Sequence, residues 1–509
     1  MAMMHVSETD GNQFETIQTS VEQIKNEVIS AARSGAAAHI VEENIQKQLC
    51  AMGYRLMEWF FSLQGTGDIG ETASLCDGRK ARRLPGLHGR KFKTIFGTHH
   101  LKRHAYGCRQ GQSIDLVPLD TRLQLPKGEY SHVYQNLSQE LATEMPYGKA
   151  GAFMRKIFSG SISVDTLETA NRHFGSDAAL FRETRPAPVA ETEAELLVTS
   201  ADGKGIPMRH ERDVARIEDL RHKRGPKPGR KRMATVGAVY TVDPFVRTPE
   251  NIVDALFQDP AAAKPETVKR PEPKNKRIFA NLSRDDESGN EISATDLTMK
   301  EIAMQVQLRN PENSKVHIFL QDGQPALWEA VIRHFSENHK RIEILDLIHV
   351  MSYLWQAAAL FFRSGWQQIA FMKDRALRIL RGEVREVVSG MRQGATRRGF
   401  SKRQKKSLEK ICNYFLKNQE RMKYGEYLAA GYPIASGVIE GACRHYVKDR
   451  MERAGMRWSM EGAQAMLDVR SVALNGDWEE FVEFRIKNNV QKNHPHLSVV
   501  QAVQWPIAA

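Results

Sequence analysis

The chain has few cysteines, no strongly apolar segment of membrane length and no basic start followed by an apolar stretch. Its 509 residues hold five cysteines, an odd number with no CxxC pair, which argues against a disulfide framework and for a reducing compartment. The most apolar window, Tyr353 to Phe362, is about half as long as a membrane span needs. We therefore expect a cytoplasmic protein without a secretory signal or a membrane segment.

Acidic residues are missing from Arg79 to His104, where nine lysines and arginines stand. The whole chain has a formal net charge of +12. Because each cation that meets a phosphate releases counterions, this excess favours a polyanionic partner such as nucleic acid. A solvated basic face is the alternative. Within this segment, the candidate DNA contacts are Arg90, Lys91 and Lys93.

The length predicts several domains rather than one core. Residues 1–70 have the three- and four-residue apolar spacing of helices, and residues 71–128 alternate short β-like pieces with glycines, as in a basic β-hairpin module. Residues 129–190 predict a helix-turn-helix: one helix through Phe158, a tight turn at Gly160, Ser163 as N-cap, and a second helix from about Val164 to His173.

Residues 191–350 change to an α/β rhythm. Three apolar strands are predicted first: Leu196–Ser200, Met233–Val242 and Arg277–Ser283. A helix, a strand, a helix and a last strand follow, and this is the order of elements in an RNase H-like sheet. Two loops interrupt them, at 221–232 and near 259–276. The first is basic and adds candidate DNA contacts: Lys223, Arg224, Arg230, Lys231 and Arg232. From 350 to 490 the chain reads as helical, with Pro433 its single proline.

Three carboxylates stand where a rigid scaffold could hold metal ions. Asp202 is predicted to end the first strand and Asp322 the fourth, each before a glycine, and Glu440 enters a helix between Gly437 and Gly441. Phosphodiester cleavage is assisted by two divalent ions about 4 Å apart, and Mg²⁺ prefers oxygen ligands. For a single Asp-Gly pair, an ordinary turn is the simpler explanation. The three together predict a metal-dependent active site.

Two further groups flank these carboxylates. The helix after Glu440 is basic and predicts contacts to DNA phosphates, although Asp449 and Glu452 allow a salt-bridged solvent face; the candidates are Arg444, Lys448, Arg450, Arg453, Arg457 and Trp458. At the fifth strand end, Asp346 competes with Asp322 for the catalytic role. Asp322 is preferred because its strand would neighbour the first. His349 is either a hydrogen-bonded organiser of the site or a metal ligand.

At these residues the chain resembles bacterial DDE insertion-sequence transposases, most closely the ISKra group, over about residues 70–485. The resemblance rests on five motifs in order: SADGKGIPM, KRIFANLS, FLQDGQPALW, DLIHVMSYLW and IASGVIEGACRHYVKDRMERAGMRWS. It implies a multidomain α/β fold with an RNase H-like mixed sheet, a catalytic triad of Asp202, Asp322 and Glu440, and an all-α insertion at 351–430. The Glu-bearing helices would then occupy 431–490 and a tail 491–509.

The resemblance also implies cofactors and partners. It implies two Mg²⁺ ions, with Mn²⁺ as a substitute, and double-stranded DNA as element terminal repeats and as target. It further implies a homodimer or higher oligomer on DNA, associated with the bacterial nucleoid. Family members carry a CxxC zinc ribbon where this chain has only Cys76 and Cys108. Since tetrahedral zinc takes four ligands, we expect zinc-ribbon-like hairpins without zinc.

Two other functions remain open. A non-catalytic DNA-binding protein derived from a transposase would need no carboxylates, so Asp202→Asn would leave its activity unchanged. An RNase H-like structure-selective nuclease, such as a junction resolvase, would prefer branched DNA to linear duplex.

Overall fold

The structure is a computed structural model. It describes residues 8–108, 114–158, 160–209, 231–257, 269–285, 288–336, 339–453, 455–503 and 505, with only the backbone for residues 8–13. The chain divides into two compact units, residues 1–177 with 477–509, and residues 178–476. The finer domain boundaries drawn above stay predictions. None of the helices in the described ranges is long and apolar enough to cross a membrane.

The first unit combines helices with two small antiparallel sheets, one of β1, β2 and β5 and one of β3 and β4. Its strands are β1 (Thr72–Ser74), β2 (Lys80–Arg83), β3 (His88–Thr94), β4 (Gly97–Arg103) and β5 (Tyr106–Gly107). Its helices are α1 (Glu8–Ser34), α2 (Ala38–Leu63), α3 (Pro118–Arg122), α4 (His132–Glu144), α5 (Tyr147–Ile157) and the first part of α6 (Val164–Thr184). Residues 72–107 therefore form the short strands that the glycine spacing predicts.

The predicted second helix of the helix-turn-helix begins correctly but ends too early. The Ser163 hydroxyl accepts the backbone N–H of Thr166 at 3.1 Å, so Ser163 is the N-cap. Helix α6 then runs to Thr184 rather than stopping near His173. Phe174 and Ala178 are fully buried, and their packing carries the helix past Gly175 despite the low helix propensity of glycine.

The second unit is built on a five-stranded mixed sheet with the order β12-β11-β6-β7-β8. The strands are β6 (Leu196–Pro207), β7 (Lys231–Val242), β8 (Lys274–Leu282), β11 (Val316–Gln321) and β12 (Arg341–Leu345), with β9 (Arg284–Asp285) and β10 (Glu291–Ile292) as a separate pair. Strands β6, β7 and β8 are antiparallel, whereas β11 lies parallel to both β6 and β12. The predicted succession of strands is thus present.

Several predicted boundaries are wrong. Strand β6 continues to Pro207, because it stays paired with β7 as far as Pro207 opposite Lys231; Asp202 therefore lies inside a strand, and Gly203 does not turn the chain. Lys231 and Arg232 belong to β7 and not to a loop, and β8 begins at Lys274, three residues before the predicted start. Lys223, Arg224 and Arg230 lie outside the described residues.

Helices cover both faces of this sheet. The remaining helices of the unit are α7 (Pro249–Phe257), α8 (Ala294–Arg309), α9 (Pro325–His334), α10 (Leu347–Phe361), α11 (Gly365–Leu380), α12 (Val384–Arg397), α13 (Lys402–Asn418), α14 (Tyr424–Ala429), α15 (Gly437–Ala442), α16 (Asp449–Met451) and α17 (Met460–Leu474). Leu196 and Val198 pack against α10–α14, whereas Leu197 packs against α8 and α9, since successive strand residues face opposite sides. The first unit ends with α18 (Trp478–Asn493) and α19 (Leu497–Ala502).

Candidate active site

Asp322 and Asp346 follow neighbouring parallel strands directly. Asp322 comes after β11 and Asp346 after β12, and the carboxyl ends of these strands lie at the same edge of the sheet. Asp346 also caps α10, because its Oδ1 accepts the N–H of Ile348 at 3.0 Å. His349 therefore sits in the first turn of that helix, with its Nδ1 3.7 Å from Asp322 Oδ1 and its Nε2 3.9 Å from Asp346 Oδ2.

Asp202 lies inside β6, and not at the end of a strand as predicted. Pairing between β6 and β11 ends at Thr199 opposite Phe319, while β6 continues beside β7. Asp202 thus lies just past the point where β6 loses its parallel neighbour. Its Oδ1 accepts the N–H of Gly203 at 2.7 Å, and its Oδ2 accepts the thiol of Cys443 at 3.3 Å. The carboxylate is held from two sides.

Glu440 is positioned by Asp346 through Ser436. The buried Ser436 donates both its backbone N–H, at 3.2 Å, and its hydroxyl to the Asp346 carboxylate. The carbonyl of Ser436 then accepts the N–H of Glu440 at 3.1 Å, in the first turn of α15. The Glu440 Oε1 lies 3.5 Å from His349 Nε2, and its side chain is 42% exposed. The predicted helical placement of Glu440 is confirmed.

These acidic groups repel one another. Burial raises the pKa of Glu440, and the charges of Asp202 and Asp346 raise it further, while His349 and Lys204 lower it. Carboxylates held together in this way bind a proton or a cation more readily than isolated ones do. Lys204 was not singled out from the sequence, although it stands two residues after Asp202 on a strand and thus on the same face.

The geometry brings together one set of possible metal ligands. In the described ranges, Asp346, His349 and Glu440 alone form a group of three whose ligand atoms all lie within 4.8 Å of one another. Asp346, however, is fully buried and already accepts three hydrogen bonds, from Ser436 and Ile348. Asp346 is therefore better suited to position other residues of the site than to act as a metal ligand, which must exchange water for a cation.

Two side chains that hold the acidic groups were missed from the sequence. The Tyr414 hydroxyl, on α13, donates to Asp322 Oδ1 at 3.0 Å, and its ring stacks on Tyr353 at 4.0 Å between centroids. Burial and the charge of Asp322 raise the pKa of Tyr414, so its hydroxyl stays a donor at neutral pH. Burial, Asp202 and Glu440 likewise raise the pKa of Cys443. Tyr414 is 92 residues from Asp322, and no local pattern links them.

The predicted basic helix after Glu440 is only partly available to DNA. After α15, residues Cys443–Lys448 form a π-helical turn, and α16 ends at Met451, so Arg457 and Trp458 lie beyond the helix. Arg450 is 1% exposed and lies over the buried Trp458 ring at 5.1 Å. Both must be removed from the DNA-contact set, because they pack inside the unit. The exposed members are Arg444, Lys448, Arg453 and Arg457.

The other predicted DNA contacts also differ in availability. Arg90, with 12% of its side chain exposed, pairs with Asp120 at 2.6 Å, so it is a structural residue rather than a phosphate contact. Lys93 pairs with Glu129 at 2.9 Å, whereas Lys91 is exposed. Lys231 pairs with Glu452 at 2.7 Å and Arg232 with Glu291 at 3.6 Å, and both keep more than half of their side-chain surface exposed.

The segment predicted to be zinc-ribbon-like has one neighbour that the sequence did not suggest. The Cys76 Sγ lies 3.0 Å from Nδ1 of His496, and His496 was not considered as a partner from the sequence because 420 residues separate the two. Cys108 instead receives a contact from Arg79 at 3.5 Å. The expectation that this module holds no zinc stays a prediction.

Comparison with known proteins gives little beyond the geometry. No protein-family model matches the chain, and no curated protein does. Among solved structures, the chain is similar to the Drosophila P element transposase in its strand transfer complex, at 10% identity, over 75% of this chain and 87% of that chain, with a TM-score of 0.24. A similarity this loose carries no argument about fold or function.

Proposed function

We propose that the chain is a DDE transposase, in which Asp202, Asp322 and Glu440 on an RNase H-like sheet catalyse DNA strand cleavage and strand transfer. One observation carries the proposal. Asp322, at the end of β11, and Glu440, on α15, lie 3.7 and 3.5 Å from His349. The charge of Asp202, on β6 and 238 residues before Glu440 in sequence, raises the pKa of Glu440. The order of the five strands, with two antiparallel and two parallel neighbouring pairs, supports the RNase H-like assignment.

The acidic groups fit divalent ions of the Mg²⁺ type. Asp202, Asp322 and Glu440 offer the hard oxygen ligands that Mg²⁺ and Mn²⁺ prefer. Burial raises the pKa of Glu440, and the charge of Asp202 adds to this rise. Two bound ions would neutralise this charge and polarise the attacking and leaving oxygens of the phosphodiester. At the same place, Lys204 adds a positive charge, and His349 adds a ring that is positive or neutral.

The chain's own residues would then orient the reaction. Tyr414 and the backbone N–H of Gly323 hold Asp322, at 3.0 and 2.5 Å, and Cys443 holds Asp202. Asp346 sets the positions of His349 and Glu440 by capping α10 and binding Ser436. Such fixed geometry keeps water or a DNA 3′-hydroxyl in line with the scissile bond, which is the main requirement of an in-line displacement.

DNA would approach the exposed cations near Glu440. Arg444, Lys448, Arg453 and Arg457 are exposed, and phosphate contacts of this kind position a duplex without reading its sequence. The proposal assigns recognition of the element's terminal repeats to the basic hairpins and to α5 and α6. It also includes a dimer or larger assembly, since two element ends must be joined.

The deciding experiment is a cleavage assay on labelled duplex carrying the element's own ends. The parent protein, Glu440→Gln and the control Glu312→Gln, which alters an exposed glutamate in a turn, are compared in Mg²⁺ and in Ca²⁺. We expect 3′-hydroxyl ends with Mg²⁺ from the parent and the control, and a loss of about 10³-fold or more in Glu440→Gln, equivalent to about 4 kcal/mol. Binding without cleavage under every condition would favour a non-catalytic DNA-binding protein, and preferential cutting of branched DNA would favour a resolvase.

Tyr414→Phe tests the hydrogen bond to Asp322. The change removes one hydroxyl donor and keeps the ring that stacks on Tyr353. Because residues that orient metal ligands typically contribute about 10–100-fold, we expect cleavage to fall by that factor and the Mg²⁺ concentration for half-maximal rate to rise. The paired variant Tyr353→Phe leaves the Asp322 contact in place. Equal rates and equal Mg²⁺ requirements in Tyr414→Phe and the parent would contradict the role given to Tyr414.

A further inference from the structure

Helix α13 carries a row of lysines on one exposed face. Lys402, Lys406 and Lys410 are spaced four residues apart, which places them on the same side of a helix, and Lys417 continues the row at 15 residues from Lys402. All four are exposed, and so are the adjacent Arg403 and Lys405. The buried side of α13 holds Leu408, Ile411, Cys412, Phe415 and Asn418. The positive row thus lies on the side that faces away from the core.

This arrangement is unfavourable for the helix itself. Like charges four residues apart repel each other, and cations in the first turn oppose the positive end of the helix dipole. No acidic residue stands in that first turn, and none occurs in the sequence from Val387 to Leu408. In the described part of the chain, Lys402, Lys406 and Lys410 have no ion-pair partner. The charge is therefore left for an anion outside this chain.

The same helix reaches the candidate active site. Tyr414, on α13, contacts Asp322 at 3.0 Å. At ~1.5 Å of rise per residue, Lys410 stands ~6 Å and Lys402 ~18 Å along the axis from Tyr414. The row from Lys402 to Lys410 is then ~12 Å long, about the length of three to four base pairs of duplex at ~3.4 Å each.

We propose that α13 binds the phosphate backbone of duplex DNA that flanks the bond being cut, through Lys402, Lys406 and Lys410. The inference rests on the proposed function, and it adds a DNA-binding surface in the helical layer, separate from the cations that follow Glu440 in sequence. The exposed face has no apolar side chain between its lysines, only Ser407, Glu409 and Asn413, and the Glu409 carboxylate is already paired with Arg392. The face therefore lacks the buried apolar centre of a protein interface. Regularly spaced cations suit a row of phosphates.

Salt-dependent DNA binding tests this surface without requiring cleavage. The full-length triple variant K402Q/K406Q/K410Q is compared with K276Q/K300Q/K340Q, which removes the same charge from three exposed lysines elsewhere in the unit. Both are made in the Glu440→Gln background and titrated with fluorescent linear duplex at several salt concentrations. Each lost phosphate contact lowers the slope of log affinity against log salt by ~0.9. We expect a decrease of ~2 to 3 for the α13 variant and little change for the control.

The outcomes separate this proposal from the enzyme assignment. An α13 variant with the same slope as the control would overturn the DNA-binding surface, and so would a parent that binds single-stranded RNA in preference to duplex. A reduced slope in a protein that never cuts DNA would keep the surface and reject the nuclease. Thermal unfolding checks the fold: removing mutual repulsion should leave the melting temperature of the α13 variant equal to that of the parent or higher.

Discussion

Replacing Asp322 with asparagine is expected to lower Mg²⁺-dependent cleavage by about 10³-fold or more, with the free energy of unfolding unchanged or slightly higher. The loss follows from removing a carboxylate that we propose to bind metal, with an expected contribution of about 4 kcal/mol in the transition state. The gain in stability follows because Asp322 shares a region with other acidic groups, and removing one charge relieves repulsion. Single-turnover cleavage and urea unfolding measure the two effects separately.

Asp346→Asn is the informative comparison. Asp346 is fully buried, and its oxygens accept hydrogen bonds from Ile348 and from both donors of Ser436. An asparagine amide would turn a donor toward these donors, so we expect the free energy of unfolding to fall by about 1–3 kcal/mol in addition to a loss of cleavage. If Asp346→Asn keeps full stability and loses cleavage while Asp322→Asn remains active, the two roles must be exchanged.

Arg182→Met is expected to destabilise the second unit by about 3–5 kcal/mol. The Arg182 guanidinium contacts Glu301 Oε1 at 3.0 Å, Asp468 Oδ1 at 2.9 Å and the Ser471 hydroxyl at 2.9 Å. Only 15% of its side chain is exposed, and only 10% of that of Asp468. Removing the cation leaves two carboxylates near each other without their partner, which costs far more than an exposed ion pair contributes. Chemical denaturation measures the difference.

The pH dependence of the unfolding free energy and a control variant on α6 test whether the buried cluster causes the loss of stability in Arg182→Met. Burial raises the pKa of Asp468 to about 6, above the value of about 4 in an unfolded chain, so its protonation favours the folded state as pH falls through 6. The decrease in the free energy of unfolding that Arg182→Met causes should therefore be smaller at pH 5 than at pH 8. Arg172→Met breaks a pair with Glu168 on α6 in which the Arg172 side chain is 40% exposed, and it should cost less than about 1 kcal/mol. Equal losses in both variants would contradict the buried-cluster explanation.

Local patterns in the sequence predicted several site positions well. Strands β11 and β12 end where their apolar residues end, so the sequence could place Asp322 and Asp346 at strand ends. Gly437 likewise marked the start of the helix that holds Glu440. The same reasoning failed for Asp202. Asp-Gly is typical of turns, yet β7 supplies a hydrogen-bonding partner for Asp202 and Gly203, opposite Val236 and Thr235, and this pairing overrides the local tendency.

The sequence by itself determined the order of strands and helices, the positive charge and the acidic residues available for chemistry, because these depend on neighbours along the chain. Only the tertiary structure decided which residues surround them. Tyr414, Cys443 and Ser436 contact Asp322, Asp202 and Asp346, and Arg450 is buried although the sequence predicted an exposed position for it. Such contacts join segments about 90 to 240 residues apart. They depend on how helices pack on the sheet, since local periodicity shows which side of an element is buried and not what it is buried against.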